Sequence, residues 1–213
     1  MNVIEIFSSI EGEGKRQGQL CTFVRLAGCN MRCPYCDTKY SYGENADIKK
    51  MSVLSIVREI KRLGNKNVTI TGGEPLLQAK ELEKIIRCLP QIRFNIETNG
   101  TISKPFTYPN VFYTADYKMP CSGAIEPINN KLVTQLTSKD VLKFVVSDMY
   151  ELGLMKDFVL KHKYLRCLYY VSPVWGKAHL ENIVKFLKKN NLQKVRIQLQ
   201  IHKIIWSPDK RGV

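Results

Sequence analysis

The stretch CTFVRLAGCNMRCPYCDT, residues 21–38, sets a short apolar run directly against three cysteines. CTFVRLA (21–27) reads as a buried strand. It empties into a loop in which Cys29, Cys33 and Cys36 are spaced C-x3-C-x2-C. Three thiolates this close together must bind something or be held apart. A strand that delivers such groups at its C-terminal end suits an α/β fold, in which sites gather along that edge of a parallel sheet.

The rest of the chain repeats the strand-then-helix rhythm. Ser52 stands at the N-cap of a helix over SVLSIVREIKRLG, with apolar residues at 53, 54, 56, 57, 60 and 63 and Gly64 to stop it. NVTIT (67–71) is a β-branched strand ended by Gly72 and Gly73, and LLQAKELEKIIRCL (76–89) returns to the helical period until Pro90. RFNIETNG (93–100), VFYTADYK (111–118), KFVVS (143–147), RCLYYVSPVWG (166–176) and KVRIQLQIH (194–202) read as strands, with helices over 149–162 and 179–191. This alternation predicts a mostly parallel sheet with crossover helices. The polar and glycine residues collect at the C-terminal strand ends. No linker divides the chain, so one domain over residues 1–213 is expected.

Composition narrows the class. No apolar run approaches the roughly 20 residues of a membrane span. The start, MNVIEIFSSIEGEGK, lacks a basic segment followed by a long apolar one, so a reducing, cytoplasmic setting is expected. There, clustered cysteines bind metal more often than they form disulfides. The formal net charge is +14, and residues 156–213 set 13 Lys and Arg against Asp157, Glu181 and Asp209. These lysines are scattered and lack interleaved aromatics, so they read as a solvated basic face. Neither a nucleic acid nor a membrane is expected as partner.

A structural zinc site wants four ligands, usually as two separated pairs. Here Cys21, Cys88, Cys121 and Cys167 are isolated, and His162, His179 and His202 lie far along the chain. A [4Fe-4S] cubane held by three thiolates leaves one iron open to a chelating molecule. C-x3-C-x2-C with Tyr35 just before the last cysteine resembles the signature of radical S-adenosylmethionine enzymes. The resemblance implies that the amine and carboxylate of S-adenosylmethionine chelate the open iron. One-electron cleavage then yields a radical that abstracts a substrate hydrogen. It also implies an incomplete TIM-type barrel of about six parallel strands with a reduced set of outer helices. TGGEP (71–75) resembles the family's glycine-rich cofactor segment; taken alone it is a strand-to-helix turn with Pro75 at the helix start.

SIEGEG (9–14), TFVRLAGCNMRCPYCDT (22–38), TGGEPLLQ (71–78), IETNGT (96–101), DYKMPCSG (116–123) and LQIHKIIWSPDKRGV (199–213) together resemble the 7-carboxy-7-deazaguanine synthases. That family implies ring contraction of 6-carboxy-5,6,7,8-tetrahydropterin with loss of ammonia, on the route to queuosine and other 7-deazapurines. It implies a [4Fe-4S] cluster on Cys29, Cys33 and Cys36, S-adenosylmethionine regenerated each turnover, and Mg2+ on the Thr38 hydroxyl. It further implies a flavodoxin or ferredoxin as electron donor and a homodimer.

Carried over by the same resemblance, Ile10, Glu11, Gly12, Glu13, Arg25, Thr71, His202 and Val213 fall to the substrate. Tyr35, Asp37, Gly73, Glu74, Asp116, Tyr117, Lys118, Ser172, Pro173, Val174 and Trp175 fall to S-adenosylmethionine. Several of these make chemical sense alone. Glu11 and Glu13 offer acceptors to an aminopyrimidinone edge, and Glu74 offers a carboxylate to the cofactor's ammonium group. Arg25 lies in an otherwise apolar strand and needs a partner, either a substrate carboxylate or a structural acid. No residue is singled out as acid or base catalyst. Two other readings compete: a ribonucleotide-reductase activating enzyme, and a non-catalytic nucleic-acid-binding protein built around a structural metal.

Overall fold

A computed structural model describes residues 1–125 and 127–213. Its strands are Asn2–Ile10 (β1), Leu20–Leu26 (β2), Lys49–Lys50 (β3), Asn67–Gly72 (β4), Arg93–Thr98 (β5), Val111–Tyr117 (β6), Val141–Val146 (β7), Leu168–Pro173 (β8) and Val195–Ile197 (β9). They form one sheet in the order β3-β1-β2-β4-β5-β6-β7-β8-β9. Every pairing from β2 to β9 is parallel, whereas β1 and β3 add on antiparallel. The result is the expected incomplete barrel, widened at one edge by a hairpin-like extension.

The helices are Val53–Leu63 (α1), Ala79–Cys88 (α2), Asn130–Gln135 (α3), Met149–Lys161 (α4), Leu180–Lys189 (α5) and His202–Ile205 (α6). The Ser52 hydroxyl caps α1 by accepting from Ser55 N at 3.1 Å, and Gly64 ends it at φ 75°. The helical run expected from 76 opens as a tight 3-10 turn at Pro75–Gln78 and becomes α-helical at Ala79. The crossover from β5 to β6 has no helix at all. That is the reduction of the outer shell.

The strand expected over 194–202 is cut to Val195–Ile197. β9 is an edge strand with only β8 beside it, and its continuation is polar. Gln198 and Gln200 turn their amides to the Glu13 carboxylate instead, and the chain coils into α6. His202 therefore opens a short helix rather than closing a strand.

Strand alternation sorts the residues into two layers. Val24, Val68, Ile70 and Phe94 face outward and pack with Ile56, Ile60, Leu82 and Ile86 of α1 and α2. Leu142, Phe144 and Val171 pack likewise with Leu152, Met155 and Ile183 of α4 and α5. The alternate positions face inward, and many are polar: Thr69, Asn95 and Thr114 are buried there. Below the site, Arg16 plugs the interior, donating to Glu11 Oε1 at 2.5 Å, Thr69 Oγ1 at 2.9 Å and Arg93 O at 2.9 Å. Among the described residues, no helix is long and apolar enough to cross a membrane.

One ion pair carries structural weight. Asp140, fully buried just before β7, accepts from Lys104 Nζ at 2.5 Å, Tyr113 N at 2.9 Å, and Thr137 N and Oγ1 at 2.7 Å each. Asp140→Ala strands a buried ammonium and is expected to cost about 3–5 kcal/mol in urea unfolding. Glu59→Ala, which breaks a solvent-exposed pair with Arg62, should leave the unfolding midpoint in place.

Candidate functional site

A cavity of about 500 Å³ opens at the C-terminal ends of the parallel strands. All three cysteines of the loop after β2 line it, with Gly72 and Gly73 at the end of β4, Asn99 after β5, and Pro173, Val174 and Trp175 at the end of β8.

The cysteine loop is fixed by close backbone contact. Gly73 N donates to Leu26 O at 3.1 Å and Glu74 N to Gly28 O at 2.8 Å. A Cβ on Gly73 would overlap Gly28 O, and one on Gly72 would overlap Leu26 O. Gly72 also sits at φ 132°, a conformation open to glycine. Behind this contact, the Glu74 carboxylate accepts from Leu76 N at 2.9 Å, Thr98 Oγ1 at 2.9 Å and Asn99 N at 2.6 Å. Asn99 Nδ2 in turn reaches Asn30 Oδ1 at 2.8 Å and Cys29 Sγ at 3.8 Å.

The donor set fits an iron–sulfur cubane. Met31 N points at Cys29 Sγ at 3.4 Å, and the Thr38 hydroxyl lies 3.6 Å from Cys36 Sγ. Hydrogen bonds to sulfur are how a protein tunes such clusters. Among the described residues no three His, Cys, Asp or Glu side chains converge as ligands of one ion. A cubane asks for no such convergence, because each thiolate binds its own iron.

The inner face of the barrel supplies the rest. Arg25, Thr71, Glu97, Asp116 and Lys143 come from five different strands and line the same cavity. Arg25 Nε donates to Glu5 Oε1 at 2.7 Å, and the Tyr40 hydroxyl donates to the same oxygen at 3.0 Å. Arg25 thus has a structural acid, and the pairing through Nε leaves its two Nη groups for a carboxylate in the cavity. Glu13 accepts from Lys143 Nζ at 3.0 Å, Gln198 Nε2 at 2.8 Å and Gln200 Nε2 at 2.6 Å. Asp116 is gripped by Lys118 at 2.8 Å and Lys143 at 3.1 Å. Against the upward push of desolvation, Lys118 and Lys143 hold its carboxyl below the usual range. Glu97 accepts from Thr71 Oγ1 at 3.0 Å. Desolvation pushes it up to about 7; Lys143 opposes this, and Glu11 and Glu13 add to it.

His202 packs against Gly12 so closely that a Cβ on Gly12 would overlap its ring. Burial lowers its pKa, so the imidazole is neutral near pH 7. Asp37 pairs with Lys203 at 3.2 Å. Among the described residues, the buried Tyr35 hydroxyl has no hydrogen-bond partner. Such a group is costly unless a ligand satisfies it. Ile10 and Val213 also border the cavity.

Four of the expected ligand residues sit differently from the rest. Glu74, Tyr117 and Ser172 do not line the cavity. Glu74 is buried, and its carboxylate accepts from the backbone and hydroxyl groups that anchor the loop. Tyr117 alternates away from Asp116 and Lys118, and its ring packs against Phe144 at 5.0 Å and Phe158 at 4.8 Å. Ser172 is buried within β8. Glu11 borders the cavity, but its Oε1 is taken by Arg16 and Thr69. Conversely, sequence reading passed over Lys143, Glu97 and Asn99. Lys143 carried the signal that exposed Arg25, a cation within an apolar strand.

Residues 24–108 match the family model of the Radical SAM superfamily. The chain is 43% identical to the 7-carboxy-7-deazaguanine synthase of Clostridium acetobutylicum, over 99% of this chain and 98% of that one. It is 36% identical to that of Methanospirillum hungatei, over 98% and 86%, and 34% identical to that of Chlorobaculum tepidum, over 100% and 97%. The crystal structure of QueE from Escherichia coli superposes with a TM-score of 0.71 at 20% identity, over 92% of each chain, and so shares the fold.

The raised Glu97 pKa has a stability consequence. The folded state keeps a proton that the unfolded chain releases at its ordinary, lower pKa, so Glu97 costs stability as pH rises from about 4.5 to 7. Urea unfolding of wild type and Glu97→Gln at pH 5 and pH 8 checks this. The advantage of the Gln variant should grow by on the order of 2 kcal/mol toward pH 8.

Proposed function

The chain belongs to the 7-carboxy-7-deazaguanine synthase family of radical S-adenosylmethionine enzymes, and we propose which residues of its cavity carry the substrate, the nucleoside cofactor and a Mg2+ ion. The reaction is the ring contraction of 6-carboxy-5,6,7,8-tetrahydropterin to 7-carboxy-7-deazaguanine with loss of ammonia, in 7-deazapurine biosynthesis. The Radical SAM membership brings with it a [4Fe-4S] cluster and S-adenosylmethionine. When bound, these supply the hydrogen-abstracting radical, and the chain's own residues bind, orient and shield.

The observation that carries the assignment is the meeting of the cysteine loop with Glu13, Arg25, His202 and Val213 around one cavity. Arg25, with Nε held by Glu5, offers its Nη fork to the pterin carboxylate. Glu13, paired with Lys143 through Oε2, keeps acceptor capacity on Oε1 beside Gln200 for the amino edge of the ring. His202, uncharged, gives or takes one hydrogen bond without competing for that carboxylate. Thr71, Ile10, Gly12 and the terminal Val213 complete the pterin side. Glu11 joins it through the wall it forms, since its carboxylate is engaged below.

Cys29, Cys33 and Cys36 hold the cluster. Asp116, kept ionised by two lysines, accepts from ribose hydroxyls, and Tyr35 offers its unpartnered hydroxyl on the same side. Gly73, Asp37, Lys118, Pro173, Val174 and Trp175 form the remaining nucleoside wall. Thr38, with its hydroxyl 3.5 Å from Gly72 O, would hold Mg2+ through that hydroxyl beside the substrate. A flavodoxin or ferredoxin as donor, a homodimeric assembly and a cytoplasmic setting belong to the same reading and are supported by family resemblance. A single domain over 1–213 is supported by a sheet that runs unbroken from Asn2 to Ile197.

Anaerobic incubation of the cluster-loaded protein with reductant, S-adenosylmethionine, Mg2+ and the carboxypterin tests the reading. The 7-deazaguanine product should form. Arg25→Ala should lower kcat/KM at least about 10-fold, mainly through KM, as expected for a lost charge-assisted bond. Product formation that is indifferent to this change would remove Arg25 from the site.

A further inference from the structure

Lys143 and Lys203 are largely buried cations of the cavity to which the assignments above give no ligand, and of the two Lys143 bonds two carboxylates. It lies mid-strand in β7, in register with Asp116 on β6. Its side chain is 13% exposed, and Nζ bonds Glu13 Oε2 at 3.0 Å and Asp116 Oδ1 at 3.1 Å. Desolvation works against its charge, but Asp116, Glu13 and Glu97 keep it protonated.

The two acids come from different parts of the chain, Glu13 from the loop after β1 and Asp116 from the end of β6. Strand pairing between β6 and β7 needs no lysine, because the main chain supplies the ladder and Leu142 and Phe144 supply the outer packing. A buried ion pair is also a poor source of net stability, since desolvation offsets much of its Coulomb attraction. What the lysine does uniquely is bind two carboxylates on one ammonium group.

We propose that Lys143 is a positioning residue that couples the two halves of the cavity, so that the carboxypterin and S-adenosylmethionine each bind more tightly when the other is present. The proposal rests on Glu13 facing the pterin and Asp116 facing the nucleoside. Ordering either acid on its ligand orders the ammonium and, through it, the other acid. The second ligand then meets a partner already held in place. The effect is reciprocal by linkage, so each ligand must improve the other's affinity by the same factor.

Cluster-loaded protein under anaerobic conditions provides the test. The dissociation constant of S-adenosylmethionine is measured with and without carboxypterin, and that of carboxypterin with and without S-adenosylmethionine. Wild type should show the same enhancement, about 5-fold or more, in both directions. Lys143→Met should weaken both ligands about 10-fold and bring the enhancement to within about twofold of unity. Lys143→Arg, which restores a cation, should recover part of it. A purely stabilising lysine would lower the melting temperature or cluster content and leave the enhancement factor in place. That result overturns the proposal, as does a change confined to one ligand or independent binding in wild type. Lys143→Gln stands in if the Met variant does not fold; failure of both to fold assigns the residue to stability and overturns the proposal. A wild type that binds no carboxypterin at all defeats the functional reading itself, which distinguishes the two failures.

Discussion

The site depends on three strand ends being locked together at the open edge of the sheet. The ends of β2, β4 and β5 meet where Gly73 lies against Gly28 with no space for a side chain. Glu74 then spans from the Leu76 amide to Thr98 and Asn99, and Asn99 closes the circuit on Asn30 and Cys29. Residues 28–38 contain no helix or strand of their own. Their shape is borrowed from these neighbours. The buried carboxylate pulls in the backbone and hydroxyl donors that would otherwise be left unsatisfied. Glu74 is thus the keystone of the loop that presents the cysteines.

The second organising feature is a polar interior beneath an apolar shell. Period-2 alternation places ionisable and hydroxyl side chains at one height on adjacent strands, and the barrel wall withdraws them from water. Isolated charges in such a place would neutralise. Here Lys118 and Lys143 keep Asp116 ionised, Glu5 holds Arg25, and Glu97 is left to titrate near neutrality. The network therefore sets the charges of the site before any ligand arrives, and in a closed site such charges act strongly.

Much of this was legible in the sequence. The Cys29–Cys33–Cys36 spacing, the Gly72-Gly73 turn and the Ser52 cap are local signals, and each marks what it was read to mark in the chain's layout. The seven parallel strands follow from repeated apolar runs. What escaped was non-local. β1 lacks clean alternation, and its antiparallel partner is known only from the assembled sheet. The 194–202 run has the composition of a strand, but its two glutamines are drawn off by Glu13, far upstream in the chain. Tyr117 and Ser172 sat in matching segments, yet strand alternation and burial keep them off the cavity, a geometric fact that no segment match contains. Glu97 went unread, because nothing local marks a carboxylate that only the assembled barrel buries.

The most direct measurement is the electron paramagnetic resonance spectrum of the anaerobically reduced protein, with iron and sulfide determined on the same sample and S-adenosylmethionine then titrated in. The account requires four irons and four sulfides per chain and a signal that changes as the nucleoside is added, because one iron is not held by cysteine. A single zinc without sulfide, or a cluster whose signal ignores S-adenosylmethionine, would contradict it.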